Sequence, residues 1–258
     1  VKSKLKVLIL DIETTPIEAY VWGLYDQNIS PEQIKKDWSV LSWSAKWLDD
    51  SPKNIMYADT RNKKDPRDDK DILKKMWKLL DKADVILTQN GKRFDQKKLF
   101  SRFVQLGFPP PSSFRHIDTL AINRKHFAHT SNKLGYVCKI LNTTHKKLTH
   151  KKFPGFSLWI ACLDKNKEAF KEMELYNKFD VLSLEDMYKK VAPWDNTINL
   201  VEYNANGARV CTCGNTTFLK RGFRYTNTGK FQRYRCNKCG KEMTDGQNLV
   251  KDGKKTLR

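Results

Sequence analysis

The sequence predicts an α/β fold, a mixed sheet flanked by helices, with a small cysteine-bearing appendage towards its C-terminal end. Three observations carry this. Short runs of Val, Ile and Leu at 7–10 and 85–87 are too brief for helices and read as strands buried on both faces. Segments with a helical apolar period lie between and after them, while hairpin-like connections over the first sixty residues make that half of the sheet antiparallel. Four of the six cysteines fall in two close pairs, at 211–213 and 236–239.

At 258 residues the chain is long enough for one large domain plus a small one. Its 49 Lys and Arg against 29 Asp and Glu give a formal charge of +20, a balance that suits a partner of polyanions, nucleic acid first. Charge alone also fits a solubility strategy or a membrane-surface protein. The apolar runs are far shorter than a bilayer requires and no signal-peptide h-region opens the sequence, so an intracellular, cytoplasmic protein with no membrane partner is expected.

The first predicted strand, Val7-Leu8-Ile9-Leu10-Asp11-Ile12-Glu13-Thr14, ends in two acids before Pro16. Side chains alternate along a strand, so Asp11 and Glu13 share one side while Ile12 points into the core. Two carboxylates held this close repel, and a hard cation between them removes the conflict; a solvated strand end is the bland alternative. After the aromatic stretch 20–25, strands follow at 38–47 and 54–58, rich in aromatic and β-branched residues, and the tryptophans of this region, Trp22 included, are read as core or edge packing. The charged stretch 60–70, with Pro66, reads as an exposed loop.

From Asp71 a helical period places Ile72, Leu73, Met76, Leu79 and Leu80 on one face. The strand at 85–88 then runs into the turn Gln89-Asn90-Gly91, and a second helix carries Phe94, Leu99, Phe103, Val104 and Leu106 up to Gly107 and three prolines. Asp95 sits in its first turn, either as a plain helix-terminus stabiliser or aimed across the sheet at Asp11 and Glu13. Residues 116–120 read as a further strand end, in which Asp118 is assigned a capping or supporting role. A helical segment covers 132–141, and the basic run 145–152 reads as a solvated loop able to track a phosphate backbone. Residues 167–191 form a strong helix in which Tyr176 and Asp180, four apart, share a face backed by Met173, Val181, Leu184 and Met187. Cys138 and Cys162 stand alone in apolar surroundings as buried thiols.

Asp11-Ile12-Glu13-Thr14, then Asn90 through Phe94-Asp95, then Tyr176 through Asp180, in this order, resemble the three motifs of the DEDD superfamily of 3′–5′ exonucleases, which have a DnaQ-like, ribonuclease H-like fold. Tyr176 marks the DEDDy branch, to which the proofreading domains of DNA polymerases belong. The resemblance covers roughly residues 5–192. It implies that Asp11, Glu13, Asp95 and Asp180 hold two Mg²⁺ or Mn²⁺ ions, that Tyr176 orients the attacking water, and that Thr14, Asn90 and Phe94 contact the terminal nucleotides. With no polymerase domain following, it implies a stand-alone exonuclease acting on nucleic-acid 3′ ends, single-stranded DNA before RNA. An endonuclease on the same scaffold and a binding or assembly module without catalysis are the alternatives.

In the appendage, Cys211-Thr212-Cys213-Gly214 and Cys236-Asn237-Lys238-Cys239-Gly240 are separated by about two strands' worth of chain, the pattern of a zinc ribbon holding one structural Zn²⁺; a redox pair or disulfides remain the alternative. Between the pairs lie Lys220, Arg221, Arg224, Tyr225, Lys230, Phe231, Arg233, Tyr234 and Arg235, an interleaving of cations and aromatics suited to phosphate contact and base stacking. A nucleic-acid clamp is the preferred reading and a protein-docking module its rival. The expected division is a ribonuclease H-like domain over 1–193, a linker over 194–209, the ribbon over 210–248 and a basic tail over 249–258.

Overall fold

A computed structural model describes residues 5–149, 152–195, 198, 200 and 209–250. Most of the expected linker and basic tail, with His150 and Lys151 of the basic run, lie outside the described residues. The chain divides into two compact units, Lys6–Tyr188 and a C-terminal unit beginning at Lys189.

The larger unit is built on β1 (Val7–Thr14). Leu8, Leu10 and Ile12 are almost wholly buried in one hydrophobic cluster, so strand alternation turns Ile9, Asp11 and Glu13 to the opposite face. After β1 the short β2 (Glu18–Ala19) and β3 (Ile34–Lys36) form a two-stranded ribbon. Then come β4 (Val40–Trp47) and β5 (Met56–Asp59), followed by α1 (Lys70–Asp81), β6 (Val85–Thr88), α2 (Asp95–Gln105), β7 (Arg115–Asp118), α3 (Thr119–His126), α4 (Leu134–Ile140), α5 (Ser157–Leu163) and α6 (Lys167–Val191).

The sheet order is β5-β4-β1-β6-β7. β4 and β5 add antiparallel to one side of β1, while β6 and β7 add parallel to the other through the helical crossovers that parallel pairing requires. This is the mixed, ribonuclease H-like sheet expected from sequence. One face packs on α1 and α2 through Ile72, Leu73, Met76, Leu80, Leu99 and Phe103. A second cluster joins Leu41 to Leu158 and Cys162 of α5 and Phe170, Met173 and Tyr176 of α6. Helices thus cover both faces, and the acids of β1 lie on the α6 side.

Several expectations need correction. Val104 is 79 % exposed and stands outside the apolar stripe of α2. Trp22 is not packing at all: it is 98 % exposed, in a segment that also exposes Tyr20, Leu24 and Tyr25. α3, α5 and the β2–β3 ribbon had no sequence expectation, each being too short to display a period.

The C-terminal unit contains β8 (Phe218–Thr226), β9 (Gly229–Cys236) and β10 (Glu242–Thr244), an antiparallel sheet of order β10-β9-β8. β8 and β9 form a hairpin, with an irregularity between Lys220 and Phe223 where Gly222 takes a φ of 72°. Among the described residues no helix is long and apolar enough to cross a membrane.

Candidate active site and cysteine cluster

Asp11 pairs with Ser44 and Glu13 with Ser42 in the β1–β4 ladder, and the register slips between Glu13 and Thr14. The two acids therefore sit at the last regular rungs of the central strand. Asp180 projects from α6 onto the same place: ligand oxygens of Asp11, Glu13 and Asp180 all lie within 4.8 Å of one another.

Asp95 arrives differently. The turn after β6 places Asn90 in the left-handed region at φ 66°, where Asn is tolerated far better than a β-branched residue. Gly91 packs against Thr88 so closely that a Cβ there would meet Thr88 Oγ1 at 2.2 Å. Asp118 holds this turn by accepting from Asn90 N (2.9 Å) and Lys92 N (3.2 Å), and it caps α3 by accepting from Leu120 N (3.0 Å). That is the capping and supporting role assigned to it from sequence. Asp95 then begins α2, buried, with its Oδ1 accepting from Ile12 N at 3.1 Å. It lies near enough to act electrostatically on Asp11 and Glu13, but its carboxylate is not within the three-acid cluster. Phe94 is 37 % exposed immediately before it. Thr14 is half-buried at the end of β1.

The acids are held in mutual conflict. Withdrawal from water, then Asp180, Asp95 and Glu13, push Asp11 well above the usual carboxylate range. Burial and Asp180 push Glu13 up to about 8. Burial raises Asp95 to about 7 against the pull of backbone N–H groups. Asp180 is raised by burial and drawn back by Lys147. Tyr176, beside them on α6, is raised by burial and by the Asp180 and Glu13 charges, so its phenol keeps its proton at neutral pH.

Three neighbours carried no sequence signal as site residues. Lys147 forms an ion pair with Asp180 Oδ2 and lies 4.2 Å from the Tyr176 ring centroid, so at least one member of the basic run is an internal counter-charge rather than a solvated loop residue. Asn177 Nδ2 donates to Asp11 Oδ2 at 2.6 Å. Trp159 of α5 hydrogen-bonds Glu13 and stands edge-on to Tyr176, centroids 6.3 Å apart.

These residues fit divalent cations. All donors are carboxylate oxygens, the charge is concentrated and only partly offset, and Asp180 Oδ1 is buried with no hydrogen-bond partner. A hard cation satisfies that oxygen and relieves the repulsion at once.

In the C-terminal unit, Cys211, Cys213, Cys236 and Cys239 bring their sulfurs within 4.8 Å of one another. Gly214 (φ 81°) and Gly240 (φ 73°) close the two turns, donating to Cys211 O (2.8 Å) and Cys236 O (3.0 Å). Burial acts to raise the Cys236 thiol, but the backbone N–H groups of Cys239 and Lys238 and the Asn215 amide outweigh it and bring it down to about 6. Four clustered sulfurs and N–H groups aimed at one of them are the donor set of a tetrahedral thiolate site. On the hairpin, Lys220, Arg221, Arg224, Tyr225 and Arg235 are exposed. Arg209 stacks on Tyr234 at 4.1 Å, Lys230 covers Phe223 at 4.0 Å, and Arg233 faces Glu242 at 3.8 Å.

A mixed five-stranded sheet with helices on both faces and an acid cluster on its central strand defines a nuclease-type scaffold. Residues 47–192 match the RNase_H superfamily, more than half of the chain, and the chain belongs to that family. Among solved structures it is similar to the family B DNA polymerase of the hyperthermophilic archaeon Pyrobaculum calidifontis, with a TM-score of 0.50 and 16 % identity. That match covers 88 % of this chain and 32 % of the polymerase, so the chain spans about a third of the polymerase's length. None of the curated proteins compared matches it in sequence.

Proposed function

We propose that this chain is a metal-dependent 3′–5′ exonuclease that hydrolyses the terminal phosphodiester bond of nucleic acid, single-stranded DNA before RNA. The observation that carries the reading is the convergence of Asp11, Glu13 and Asp180 within 4.8 Å, with Tyr176 on the same face of α6 as Asp180. A binding module has no use for buried like charges beside a polyanionic ligand.

Asp11, Glu13 and Asp180, with Asp95 behind Ile12, are the residues that would hold two Mg²⁺ or Mn²⁺ ions. Such a pair supplies charge neutralisation at the scissile phosphate and acidifies the attacking water. The chain's own groups do the positioning. Tyr176, protonated, is a hydrogen-bond donor and acceptor that orients the water and not a base. Asn177 fixes the Asp11 carboxylate, and Lys147 balances Asp180 and offers a cation near the phosphate. Thr14, Asn90 and Phe94 border the same end of β1 and hold the 3′-terminal nucleotide, Phe94 by stacking.

The domain division is proposed as 1–193, 194–209, 210–248 and 249–258. Its third part is a zinc ribbon in which the four cysteines hold one Zn²⁺. Lys220, Arg221, Arg224, Tyr225, Arg233, Tyr234 and Arg235 serve it as a nucleic-acid clamp that raises the local concentration of substrate, and a protein partner is the competing occupant of the hairpin.

The test is incubation with 5′-labelled single-stranded DNA and RNA in Mg²⁺ or Mn²⁺, with products resolved by length. The reading predicts a shortening ladder, lost by at least about 10²-fold in Asp11→Ala, the scale of a missing transition-state contact, with binding retained. Discrete internal fragments, or binding with no cleavage, would contradict it.

A further inference from the structure

Among the described residues, Lys98 is a cation with no ion pair. It lies on α2 one turn after Phe94, and its backbone N–H donates to Phe94 O at 2.9 Å. Its ammonium stands 3.5 Å from the ring centroid of Trp38 and 5.9 Å from that of Phe94. Both rings are within reach of a cation–π contact, with Trp38 the closer. Burial draws the ammonium below the usual lysine range, and the exposed carboxylate of Asp37 opposes that pull from beyond ion-pair distance.

This bracket spans the end of β1. Trp38 precedes β4, and the next residue is tied to Thr15: Thr15 N donates to Ser39 O (2.9 Å) and Ser39 N to Thr15 Oγ1 (2.9 Å). Phe94 follows β6, on the other side of β1. Because β4 runs antiparallel and β6 parallel to β1, the start of β4 and the turn after β6 both lie beside the end of β1, where Glu13 and Thr14 stand. Lys98 therefore joins the two flanks of the acid-bearing strand at that end.

The chemistry of the bracket selects a nucleotide unit. Two aromatic rings leave the lysine charge in place where a carboxylate would have neutralised it, so the ammonium keeps its donors for an anion. Lys92, Arg93 and Lys97 nearby in the chain are exposed and form no ion pairs among the described residues, which adds to the attraction for a polyanion. Phe94 offers a partly exposed face for a flat ring beside the ammonium. A nucleotide carries a flat ring and an anion on one sugar and matches both. An acidic peptide supplies the anion without the ring.

We propose that Lys98, held by Trp38, grips a backbone phosphate of the single strand whose terminal base the exonuclease reading seats on Phe94. Lys98 is then a substrate-binding residue and Trp38 a positioning residue acting through it. The grip rests on that reading, but its binding is measurable without cleavage.

The experiment uses the full chain and a fluorescently labelled single-stranded DNA of fixed length, with affinity measured in Ca²⁺ over a series of salt concentrations. For single strands each phosphate contact adds about 0.7 to the slope of log K against log salt. Lys98→Gln and Lys98→Met are each predicted to make the slope shallower by about 0.7, so that the wild-type advantage shrinks about fivefold for each tenfold rise in salt, whereas Lys98→Arg keeps the wild-type slope. Lys74→Met removes the same charge from an exposed position of α1 and is predicted to leave the slope unchanged. Phe94→Ala is predicted to weaken binding about five- to a hundredfold with the slope unchanged, since stacking carries no charge. Trp38→Leu is predicted to weaken binding in the wild-type background and to have no effect in the Lys98→Gln background, a dependence that a merely structural tryptophan would not show. An unchanged slope in both Lys98→Gln and Lys98→Met, or an equal change in Lys74→Met, would overturn the phosphate grip. An equal effect of Trp38→Leu in both backgrounds would overturn its positioning role. A shallower slope in the Lys98 variants with no shortening of any strand by wild type in Mg²⁺ would overturn the exonuclease reading and leave the grip standing.

Discussion

Asp11 and Glu13 were legible because a strand's period of two needs no tertiary information to put them on one side. Asp180 and Tyr176 were legible as a helical pair, although nothing in the spacing said which face of α6 meets the sheet. Lys147, Asn177 and Trp159 were not legible: a lysine among lysines, an amide on a long helix and a tryptophan in a short apolar run acquire meaning only where the chain folds back. The acid cluster supports a first prediction. In EDTA, Asp11→Asn removes a buried like charge and raises Tm above wild type, whereas added Mg²⁺ stabilises wild type more than the variant; thermal unfolding with and without the ion reads both. Tyr176→Phe, which keeps the ring and loses the hydroxyl, is predicted to slow turnover about 10- to 100-fold, less than loss of an acid, by single-turnover kinetics. His116 carries a pH prediction. Burial lowers it from 6.5 to about 4, while its ring nitrogens lie 2.7 Å from Thr88 Oγ1 and 2.7 Å from Gln96 Oε1. The unfolded chain takes up a proton at higher pH than the folded one, so this contribution is complete above pH 6.5 and is lost as pH falls towards 4. Allowing for solvent screening of a partly exposed ring, about 1–2 kcal/mol is expected, and His116→Gln removes that share of the pH dependence in denaturant titrations.

Elements with a long period were predicted to within a residue or two, as α1 and α2 show, and the strand at 85–88 coincides with β6. The shorter α3 and α5 were missed because seven or eight residues span only two turns, and what specifies them is tertiary: the Asp118 cap for α3, and the Leu158–Cys162 face packed on Leu41 for α5. Asp69 ties three elements together. Buried at the entry of α1, it accepts from Val40 N of β4 (2.9 Å) and from Arg102 of α2 through Nε (2.8 Å) and Nη2 (2.6 Å). Asp69→Ala takes the carboxylate from the Arg102 guanidinium, which keeps only Gln105, and leaves a buried backbone amide unpaired, at a cost of roughly 3–5 kcal/mol. Calorimetry is predicted to show a Tm lower by about 6–20 °C. At the β6–α2 turn, Gly91→Ala forces Thr88 aside and displaces the start of α2, so Asp95 loses its contact with Ile12 and activity falls before stability does.

Over the whole chain, the formal charge of +20 is opposite in sign to the acid cluster of the larger unit, a balance that suits a polyanionic partner on the proposed reading. That the two cysteine pairs come together was legible because their spacing is local, whereas the packing of Arg209 on Tyr234 was not, since Arg209 lies outside the hairpin. Zinc release into a colorimetric chelator is predicted to give one ion per chain, and Cys236→Ser is predicted to abolish it and weaken binding of long strands while sparing cleavage of very short ones. The account stands or falls on whether the scaffold needs a free end. Linear and covalently closed circular single-stranded DNA of the same sequence, incubated side by side in Mg²⁺ with Asp180→Asn as the control, give the most direct answer. On this account, wild type is predicted to shorten the linear strand stepwise and to leave the circle intact, and Asp180→Asn is predicted to leave both strands intact. Conversion of the circle to a linear product by the wild type alone would contradict it.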